Sequence, residues 1–284
     1  MAINDFLSTV WSQTLLNQLN KEYIGVQNCS REFEGEIKNQ GDRVKVSGIQ
    51  PVNVFDYTKN TDFNSTLQTL NGESQMLVID QAAAFNFQID DIDKAQQNPK
   101  LMQYAMKEAA NALANKADQY VYSLYSSVAA ANRISKANVK SAQIVDILLD
   151  ARQRLLTNNV SPNSNIALEV SPAVGAKIAK AKILIASNND AELSNGYIGS
   201  LLGFDIYISN NIVTKTEADG KLYSKCFART NRAIAFVEQI NSFEAYRPEK
   251  RFADAVKGLY LYGSKIMYEN ELILLDIHTA LIDD

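Results

Sequence analysis

Residues 98–128 read NPKLMQYAMKEAANALANKADQYVYSLYSSV, and this stretch decides the fold. Asn98 is a favourable N-cap, and Pro99 follows at the first helical position, where its fixed φ helps and its missing N–H costs nothing. Apolar residues recur at steps of three and four, which predicts one long helix with a single buried face: Met102, Met106, Ala110, Leu113, Ala117, Val121, Leu124 and Val128. The other face is predicted to carry the charged residues Lys100, Lys107, Glu108, Lys116 and Asp118. At 1.5 Å per residue the helix would be about 45 Å long, which indicates an extended, flat molecule.

The composition narrows the class of protein. With 284 residues, 46% of them apolar, the chain is long and apolar enough for one large globular domain or two smaller ones. The net charge of -4 gives no general electrostatic reason to bind nucleic acid. Cys29 and Cys226 are too few for a disulfide scaffold and suit a reducing cytoplasm. Nowhere do 18 consecutive apolar residues occur, so the sequence predicts no membrane-spanning helix and no membrane partner.

The first twenty residues, MAINDFLSTVWSQTLLNQLN, do not have the basic start and unbroken apolar run of a secretory signal. Phe6, Trp11 and Leu15 fit a short amphipathic helix at an exposed end of the molecule. We expect this helix to dock on its own subunit or on a neighbour. A membrane-surface helix is not favoured, because the polar face is not basic.

The region before the long helix predicts strands around a polar arm. Glu32–Val46 alternates on both sides of Gly41-Asp42, which predicts a hairpin or a strand pair. Residues 47–76 are too polar to build a core, and structureless loops of this length are uncommon in compact domains unless they are functional or disordered. We interpret them as an ordered arm that lies on another surface. Leu77–Asp90 alternates again, which predicts a strand with one buried and one wet face.

The region after the long helix predicts alternating helices and strands. Ser141–Asn158 should be a helix, Asn165–Val170 a buried strand, and Ser171-Pro172 the start of another helix. Phe204–Ile208 reads as a further strand. This order indicates a mixed α/β lobe.

The tail is predicted to be mostly strand, in short or long segments: Ala233–Val237, Gly258–Ile266 and Glu271–Ile277. Glu244–Ala255 is charged and reads as a polar connector between them. The terminal strands should pack against the buried face of the long helix, so the core would join distant parts of the chain.

The residues that could carry chemistry form no catalytic pattern. Asp90, Asp91 and Asp93 lack the glycine and the distal glutamate of a calcium loop, so a solvated turn is favoured over a cation site or an acid/base pair. Gly196, Gly199 and Gly203 have the wrong spacing for a phosphate-binding loop, and they read as turn punctuation. A single histidine, His278, excludes metal sites that need two. No catalytic, cofactor or metal site is predicted, although chemistry by Asp and Glu alone stays open.

Several stretches, taken in order, are similar to segments of tailed-bacteriophage major capsid proteins. They are DYTKNTDF (56–63), LVIDQAAAFNFQIDDIDKAQQNPKLM (77–102), NGYIGSLLGFDIYISNN (195–211) and YRPEKRFADAVKGLYLYGSKIMYENELILLDI (246–277). No single motif among them is a chemical signature, so the ordered set carries the resemblance. The resemblance covers about residues 32–277.

This resemblance implies an α+β architecture, the Hong Kong 97-type capsid fold. It divides the chain into an N-terminal arm (1–31), an extension loop with its flanking strands (32–92), a peripheral domain with the long helix as its spine (93–135), an axial domain (136–225) and strands that return to the peripheral domain (226–284). It also implies inter-subunit contacts by the arm residues Phe6, Trp11 and Leu15 and by the extension-loop residues Val52, Val54, Phe55, Tyr57, Phe63 and Leu67.

The function that the resemblance implies is structural and not enzymatic. The chain would assemble with itself as pentamers and hexamers into an icosahedral head around double-stranded DNA, without sequence-specific DNA contacts. Only about 30 residues precede Glu32, so we expect a separate scaffolding protein, together with a portal protein. Assembly would take place in the cytoplasm of a host bacterium, and the product would be the virion capsid.

Two alternatives remain open at this point. The same fold could build an encapsulin-like compartment that holds cargo enzymes instead of DNA. From another class, the chain could be a cytoplasmic enzyme with a carboxylate-based site in the mixed lobe. Closed shells or rings of five or six subunits would favour the capsid, whereas a compact monomer with one deep acidic pocket would favour the enzyme.

Overall fold

The computed structural model describes residues 23–33, 43–49, 59, 72–90, 101–185, 197–250 and 252–279. These parts contain three helices, α1 (Leu101–Ser123), α2 (Ser141–Thr157) and α3 (Pro172–Ile185). The strands before α2 are β1 (Arg43–Ile49), β2 (Gly72–Val78), β3 (Gln81–Asp90) and β4 (Arg133–Val139). The later strands are β5 (Ile166–Val170), β6 (Tyr197–Leu201), β7 (Phe204–Ile208), β8 (Thr214–Thr216), β9 (Leu222–Thr230), β10 (Ile234–Tyr246), β11 (Ala253–Ile266) and β12 (Leu272–Thr279).

The strands form three sheets in the described part of the chain. β1 and β2 make a two-stranded antiparallel ribbon, and β10, β11 and β3 make an antiparallel sheet in that order. A larger sheet has the order β4–β12–β9–β5–β7–β6, and β8 pairs with β9 beside it. Only the β4–β12 and β5–β7 pairs of this sheet are parallel. With helices and mixed sheets the chain is an α+β protein, as predicted.

The large sheet separates two apolar cores. Side chains of a strand alternate between its faces, so one strand can serve both cores when both faces are covered. In β12, Leu272 and Leu274 belong to the core under α1, whereas Ile273 and Leu275 belong to the core under α2 and α3. The strand that ends the described chain therefore holds the two halves of the subunit together.

The buried face of α1 is the predicted one where its side chains are described. Met106, Ala110, Leu113, Ala117 and Val121 are buried against residues of the three-stranded sheet and one face of the large sheet. Lys107, Glu108 and Lys116 are exposed. The terminal strands thus cover the buried stripe of the long helix, as predicted.

Asp118 is the exception, because we predicted it on the exposed face and it is 1% exposed. Its carboxylate accepts hydrogen bonds from the N–H groups of Ile24 and Val26, both at 3.0 Å. A charge can be buried when donors from another segment satisfy it, and a pattern within one helix cannot reveal such a partner.

The helix also ends earlier than predicted. It gives way to a 3₁₀ turn at Leu124–Ser127, and Arg133 donates to carbonyl oxygens there, from Nε to Val128 at 2.9 Å and from Nη2 to Ser126 at 2.9 Å. A cation on the last carbonyl groups satisfies the end of a helix. The predicted N-cap Asn98, the predicted first helical residue Pro99, and Lys100 lie outside the described residues.

Several sequence predictions agree with the structure. The predicted helix Ser141–Asn158 is α2, the predicted strand Asn165–Val170 is β5, and Ser171-Pro172 begins α3, with Ser171 Oγ accepting the N–H of Val174 at 3.5 Å. Phe204–Ile208 is β7. Gly203 has a φ of +77° in the turn between β6 and β7, which fits the predicted turn role.

The polar stretches were predicted less well. Ser47–Ile49 and Gly72–Met76 are strand residues, although we assigned residues 47–76 to the arm. We also predicted a hairpin or a strand pair within Glu32–Val46, whereas the described partner of β1 is β2. Leu77–Asp90 is split at Ile79 and Asp80 into two strands. The half-buried side chains of β3 do alternate with exposed ones, as predicted.

The predicted connector Glu244–Ala255 was wrong at both ends, because β10 continues to Tyr246 and β11 begins at Ala253. Glu244 and Lys257 are direct cross-strand partners, with Lys257 Nζ 2.6 Å from the carboxylate. Charged residues on a wet strand face look like a loop in sequence, yet opposite charges across a strand pair support the sheet.

Two of the predicted domain boundaries fall within strands. The boundary after residue 135 lies in β4, and the one after residue 225 lies in β9. Both strands belong to the large sheet, so this sheet receives strands from both sides of each boundary.

In the described residues no helix is long and apolar enough to cross a membrane.

Candidate assembly surfaces

Residues 50–71 connect the two strands of the β1–β2 ribbon in the chain. The register runs from Arg43 opposite Val78 to Ile49 opposite Gly72, so the two strands converge on the connecting residues. This connection contains all six residues that the resemblance singles out for inter-subunit contact. Those residues, Val52, Val54, Phe55, Tyr57, Phe63 and Leu67, lie outside the described residues, and their role stays a prediction.

The root of this ribbon is fixed on the three-stranded sheet. Leu77 and Ile79 are buried in a small core with Val237 and Leu261. A β-carbon on Gly263 of β11 would clash with the main chain at Val78, so the ribbon crosses β11 where there is no side chain. Polar contacts add to this packing.

The polar contacts tie β2 to the end of β11. Gln75 Nε2 donates to the carbonyl of Met267 at 3.2 Å, and Lys265 Nζ donates to the carbonyl of Met76 at 3.0 Å. Met76 and Val78 point outward and stay substantially exposed. The ribbon therefore projects from a fixed base and presents two apolar side chains beside it.

A second base is formed by Tyr23–Arg31, which we call the anchor segment. It follows residues 1–22, where the predicted arm residues Phe6, Trp11 and Leu15 lie outside the described residues. The segment makes one 3₁₀ turn at Val26–Asn28 and a single parallel bridge between Ser30 and Ala235. It is held mainly by charged side chains of the rest of the subunit.

The first of these charged groups is Asp118 of α1, whose carboxylate binds the N–H groups of Ile24 and Val26. Burial raises the pKa of Asp118 above its usual range, although these backbone donors pull it down. Gly25 sits between them, and a β-carbon there would lie 2.9 Å from the ring of Tyr122. The segment can approach α1 this closely only because residue 25 has no side chain.

The second group is the ion pair of Arg229 in β9 with Glu169 in β5, both 0% exposed. Arg229 Nη2 lies 2.8 Å from Glu169 Oε1, and its Nε donates to Oε2 at 3.2 Å. The guanidinium also donates to the anchor segment, at 2.6 Å to the carbonyl of Asn28 and at 2.7 Å to that of Gly25. Burial raises the pKa of Glu169, and the adjacent guanidinium opposes this shift.

The third group is Glu238 of β10. Its carboxylate accepts hydrogen bonds from the hydroxyls of Tyr23, at 2.7 Å, and Tyr260, and it pairs with Arg31 at 3.0 Å. Arg31 also lies over the Tyr23 ring, 5.6 Å from its centre. Burial and the nearby Glu238 carboxylate raise the pKa of Tyr23 well above its usual range.

The tip of the β10–β11 hairpin is the most exposed apolar feature of the described surface. Phe252 is 82% exposed, and Arg247, Glu249 and Lys250 beside it lie at the surface as well. A large aromatic side chain in this position is a candidate contact residue, because aromatic anchors are enriched at interfaces. The exposed tip was not foreseen, since the sequence alone predicts only a charged connector.

A groove of about 530 Å³ lies between β3 and the first half of α1. It is lined by Phe85, Phe87, Ile89, Ala105, Glu108 and their neighbours. Phe85 and Phe87 stack with ring centres 6.1 Å apart, and small side chains on α1 leave the space above them. Glu108 is the one acidic side chain among these lining residues.

His278 makes packing and hydrogen-bond contacts, and Cys29 and Cys226 are buried. His278 Nδ1 lies 2.9 Å from the carbonyl of Leu222, and its ring packs on Tyr223. Burial raises the pKa of the Cys29 thiol to about 11 and that of Cys226 to about 12. In the described part of the chain no group of three or more His, Cys, Asp or Glu could hold a metal ion, and Asp91, Asp93 and Gly196 lie outside it.

The sequence contained a signal for the charged anchors that we did not use. Glu169 interrupts the buried run IALEV, and Arg229 interrupts CFART in another strand that is buried on both faces. Opposite charges inside two such strands indicate a buried ion pair if the strands are neighbours. Their binding to the anchor segment could not have been read from the sequence.

Comparison with known protein families shows which family the chain resembles. A family model described as "Phage capsid protein" matches residues 73–269, which is more than half of the chain. None of the curated proteins is significantly similar to the chain in sequence.

Solved structures share the fold. A structure from Mycobacterium phage Che8 is 24% identical over 89% of this chain and 90% of that one, with a TM-score of 0.69. The capsid of Ralstonia phage GP4 is 11% identical over 94% and 92%, with a TM-score of 0.70. The holo-SrpI encapsulin complex from Synechococcus elongatus PCC 7942 is 10% identical over 84% and 83%, with a TM-score of 0.58.

Proposed function

Because this chain belongs to the phage capsid protein family and is a major capsid protein that assembles with copies of itself, we propose that it builds the icosahedral head of a tailed bacteriophage around double-stranded DNA. The observation that carries this proposal is the family match over residues 73–269, and the Hong Kong 97-type capsid fold of the described residues supports it. The subunits would gather as pentamers and hexamers.

The assignment of residue ranges to an arm, a loop and two domains is also a proposal. Residues 1–31 would be the N-terminal arm, 32–92 the extension loop with its strands, 93–135 and 226–284 the peripheral domain, and 136–225 the axial domain. The fixed roots of the β1–β2 ribbon and of the anchor segment support the first two assignments, since each holds a long segment at a defined point of the surface.

The energy of assembly would come from surface buried between subunits. The ribbon with residues 50–71, the arm with Phe6, Trp11 and Leu15, and the hairpin tip with Phe252 would each contact a neighbour. Several weak contacts per subunit add up, because each contact raises the effective concentration of the next. The exposed side chains of Met76, Val78 and Phe252 support contacts at these places.

The other partners follow from the same proposal. A separate scaffolding protein would guide assembly, a portal protein would occupy one vertex, and the host bacterial cytoplasm would be the place of assembly. The net charge of -4 fits an inner surface that does not hold the genome tightly, and the proposal includes no sequence-specific DNA contacts. Free subunits should then show little DNA binding, and strong binding that falls steeply with salt would contradict this point.

An encapsulin-like compartment is the second candidate, since an encapsulin complex has the same fold. The family match favours the phage capsid. The two differ in what the shell encloses. Shells built with the genome's packaging machinery should contain DNA that resists nuclease, whereas an encapsulin-like shell should contain a protein cargo.

Negative-stain microscopy of the purified chain, alone and with its scaffolding protein, tests the proposal. We expect closed shells, or rings of five or six subunits. A compact monomer under both conditions would overturn the proposal. Nuclease treatment and mass spectrometry of particles from infected cells then separate the capsid from the compartment.

A further inference from the structure

The anchor segment lies where three parts of the subunit meet. Asp118 belongs to α1, Arg229 and Glu169 belong to the large sheet, and Glu238 belongs to the three-stranded sheet. Each part contributes a charged side chain that binds residues 23–31.

Two of these groups bind the main chain of the segment. Asp118 accepts two of its N–H groups, and Arg229 donates to two of its carbonyls. Such contacts recognise one backbone conformation of the segment, in the way that a peptide is recognised by its main chain. Side chains reinforce the fit, since Tyr23, Val26 and Cys29 are buried in the core under α1.

The ion pair beneath the segment does not depend on it. Without the segment, Arg229 would keep both of its hydrogen bonds to Glu169, so these two buried charges would stay paired, whereas Asp118 would lose its two N–H donors. Tyr260 keeps its hydrogen bond to Glu238. The segment itself joins the sheets through the single bridge at Ser30 rather than through a strand ladder.

We propose that residues 23–31 form a clasp, which opens and closes as a unit separately from the unfolding of the two larger sheets. When closed, it fixes α1, the large sheet and the three-stranded sheet to one another. The clasp leads directly into residues 1–22, so a neighbour that holds those residues would act on the relative position of the sheets. This last consequence rests on the proposed assembly, whereas the opening itself is a property of the single subunit.

The two native cysteines can report this motion. Cys29 lies within the clasp, and Cys226 lies in β9 in the core under α2 and α3. Both are buried, so a thiol reagent can reach each of them only after an opening event. Cys226 therefore reports global unfolding, and Cys29 reports the clasp.

The experiment labels the purified full-length chain under native conditions and locates the label by peptide mass spectrometry. Each rate is divided by the rate of the same thiol in denaturant. We expect Cys29 to react at least tenfold faster than Cys226. Equal normalised rates would mean that the segment opens only with the whole fold, and the proposal would be overturned.

Variants sharpen the test. Asp118→Asn should raise the Cys29 rate at least a further fivefold and leave Cys226 within twofold, because it weakens the hold on Ile24 and Val26. Gly25→Ala disturbs the same contact from the clasp side and should act in the same direction if Asp118→Asn fails to fold. Glu108→Ala, on the exposed face of the same helix, is the control and should change neither rate. An equal increase at both thiols in the two clasp variants would contradict the proposal.

Discussion

Gly263 of β11 lies against the main chain of Val78, where β2 crosses the three-stranded sheet. A β-carbon on Gly263 would clash with the carbonyl oxygen of Val78 and would lie 3.1 Å from the Cα of Ile79. Gly263 is therefore needed for close approach rather than for an unusual φ. The contact fixes the base of the ribbon that carries residues 50–71.

Gly263→Ala should lower the free energy of unfolding by about 1–3 kcal/mol, because the backbone of β2 must move to admit the methyl group. Urea unfolding followed by circular dichroism measures the change. Gly220→Ala is the comparison, since Gly220 has a φ of +75° and a β-carbon there would meet no atom within 4 Å, so only backbone strain of about 1 kcal/mol is expected. Equal losses in both variants would argue against the contact.

The sequence predicted the elements whose apolar spacing is regular and missed those whose meaning depends on a partner. The helix α2 and the strand β5 follow directly from periodicity. Glu244 looked like a loop residue because its cross-strand partner Lys257 lies in the next strand, on the far side of the hairpin tip. Asp118 looked like a surface residue for the same reason, since its donors lie in the segment before β1.

For the candidate assembly surfaces, too, the sequence predicted some features and missed those that depend on a partner. The ordered resemblance to capsid proteins predicted the family and the fold, because it uses the whole chain at once. It could not predict how the anchor segment is bound, since Arg229 and Glu169 meet only after β5 and β9 have paired. Nor could it predict the 82% exposure of Phe252, which depends on where two strands turn.

Arg229→Met should destabilise the subunit by about 3–5 kcal/mol, because it leaves Glu169 buried without its counter-ion. Urea unfolding measures the loss. Arg232→Met is the matched control, since Arg232 is close by in the chain, is 64% exposed and lies 3.9 Å from Glu271; a change below about 1 kcal/mol is expected there. Similar losses of stability in the two variants would show that the buried ion pair contributes no more to stability than the exposed Arg232 does. Glu169→Met added to Arg229→Met should restore part of the stability.

Lys225 should make the stability of the subunit depend on alkaline pH. Burial alone would lower its pKa, but hydrogen bonds to Glu217, at 2.6 Å, and to Asp276 outweigh burial and raise the pKa. A lysine whose pKa is higher in the folded state stabilises the fold below its unfolded pKa of about 10.4, and this contribution is lost as the pH rises through the folded pKa.

The measurement is the melting temperature of wild type and Lys225→Met between pH 8 and 12. Their difference should be largest at pH 8 and should shrink as the pH rises above about 10. Lys225→Arg should show no such loss, since arginine stays protonated over this range. A constant difference between wild type and Lys225→Met would show that the ionised lysine adds nothing to stability.

Phe252→Ser should separate assembly from folding. The side chain is 82% exposed, so the free energy of unfolding should change by less than about 0.5 kcal/mol, whereas assembly measured by light scattering should be reduced. Phe236→Ser is the contrasting variant, because Phe236 is fully buried and its loss should cost about 3–5 kcal/mol. Normal assembly of Phe252→Ser would remove the hairpin tip from the proposed contacts.

Deleting residues 51–70 tests the ribbon most directly. Ile49 and Gly72 are cross-strand partners, so the deletion leaves Gln50 and Asn71 as a two-residue connection between β1 and β2. With Gln50→Asn and Asn71→Gly the connection suits a type I′ turn, which matches the twist of a hairpin. Since the ribbon's root is held by Leu77, Ile79 and the Gly263 crossing, the subunit should fold with nearly unchanged cooperativity in urea.

The same variant should fail to form shells in sedimentation and negative-stain microscopy, because the side chains proposed to contact a neighbour are gone. A second variant, with residues 51–70 replaced by a Gly/Ser segment of equal length, tells contact from length. It should also fail if the apolar side chains of this stretch bind the neighbour, and it should assemble if only the span matters. Shells formed by the deletion variant would show that the ribbon is dispensable, and loss of subunit folding would show that residues 51–70 support their own subunit instead.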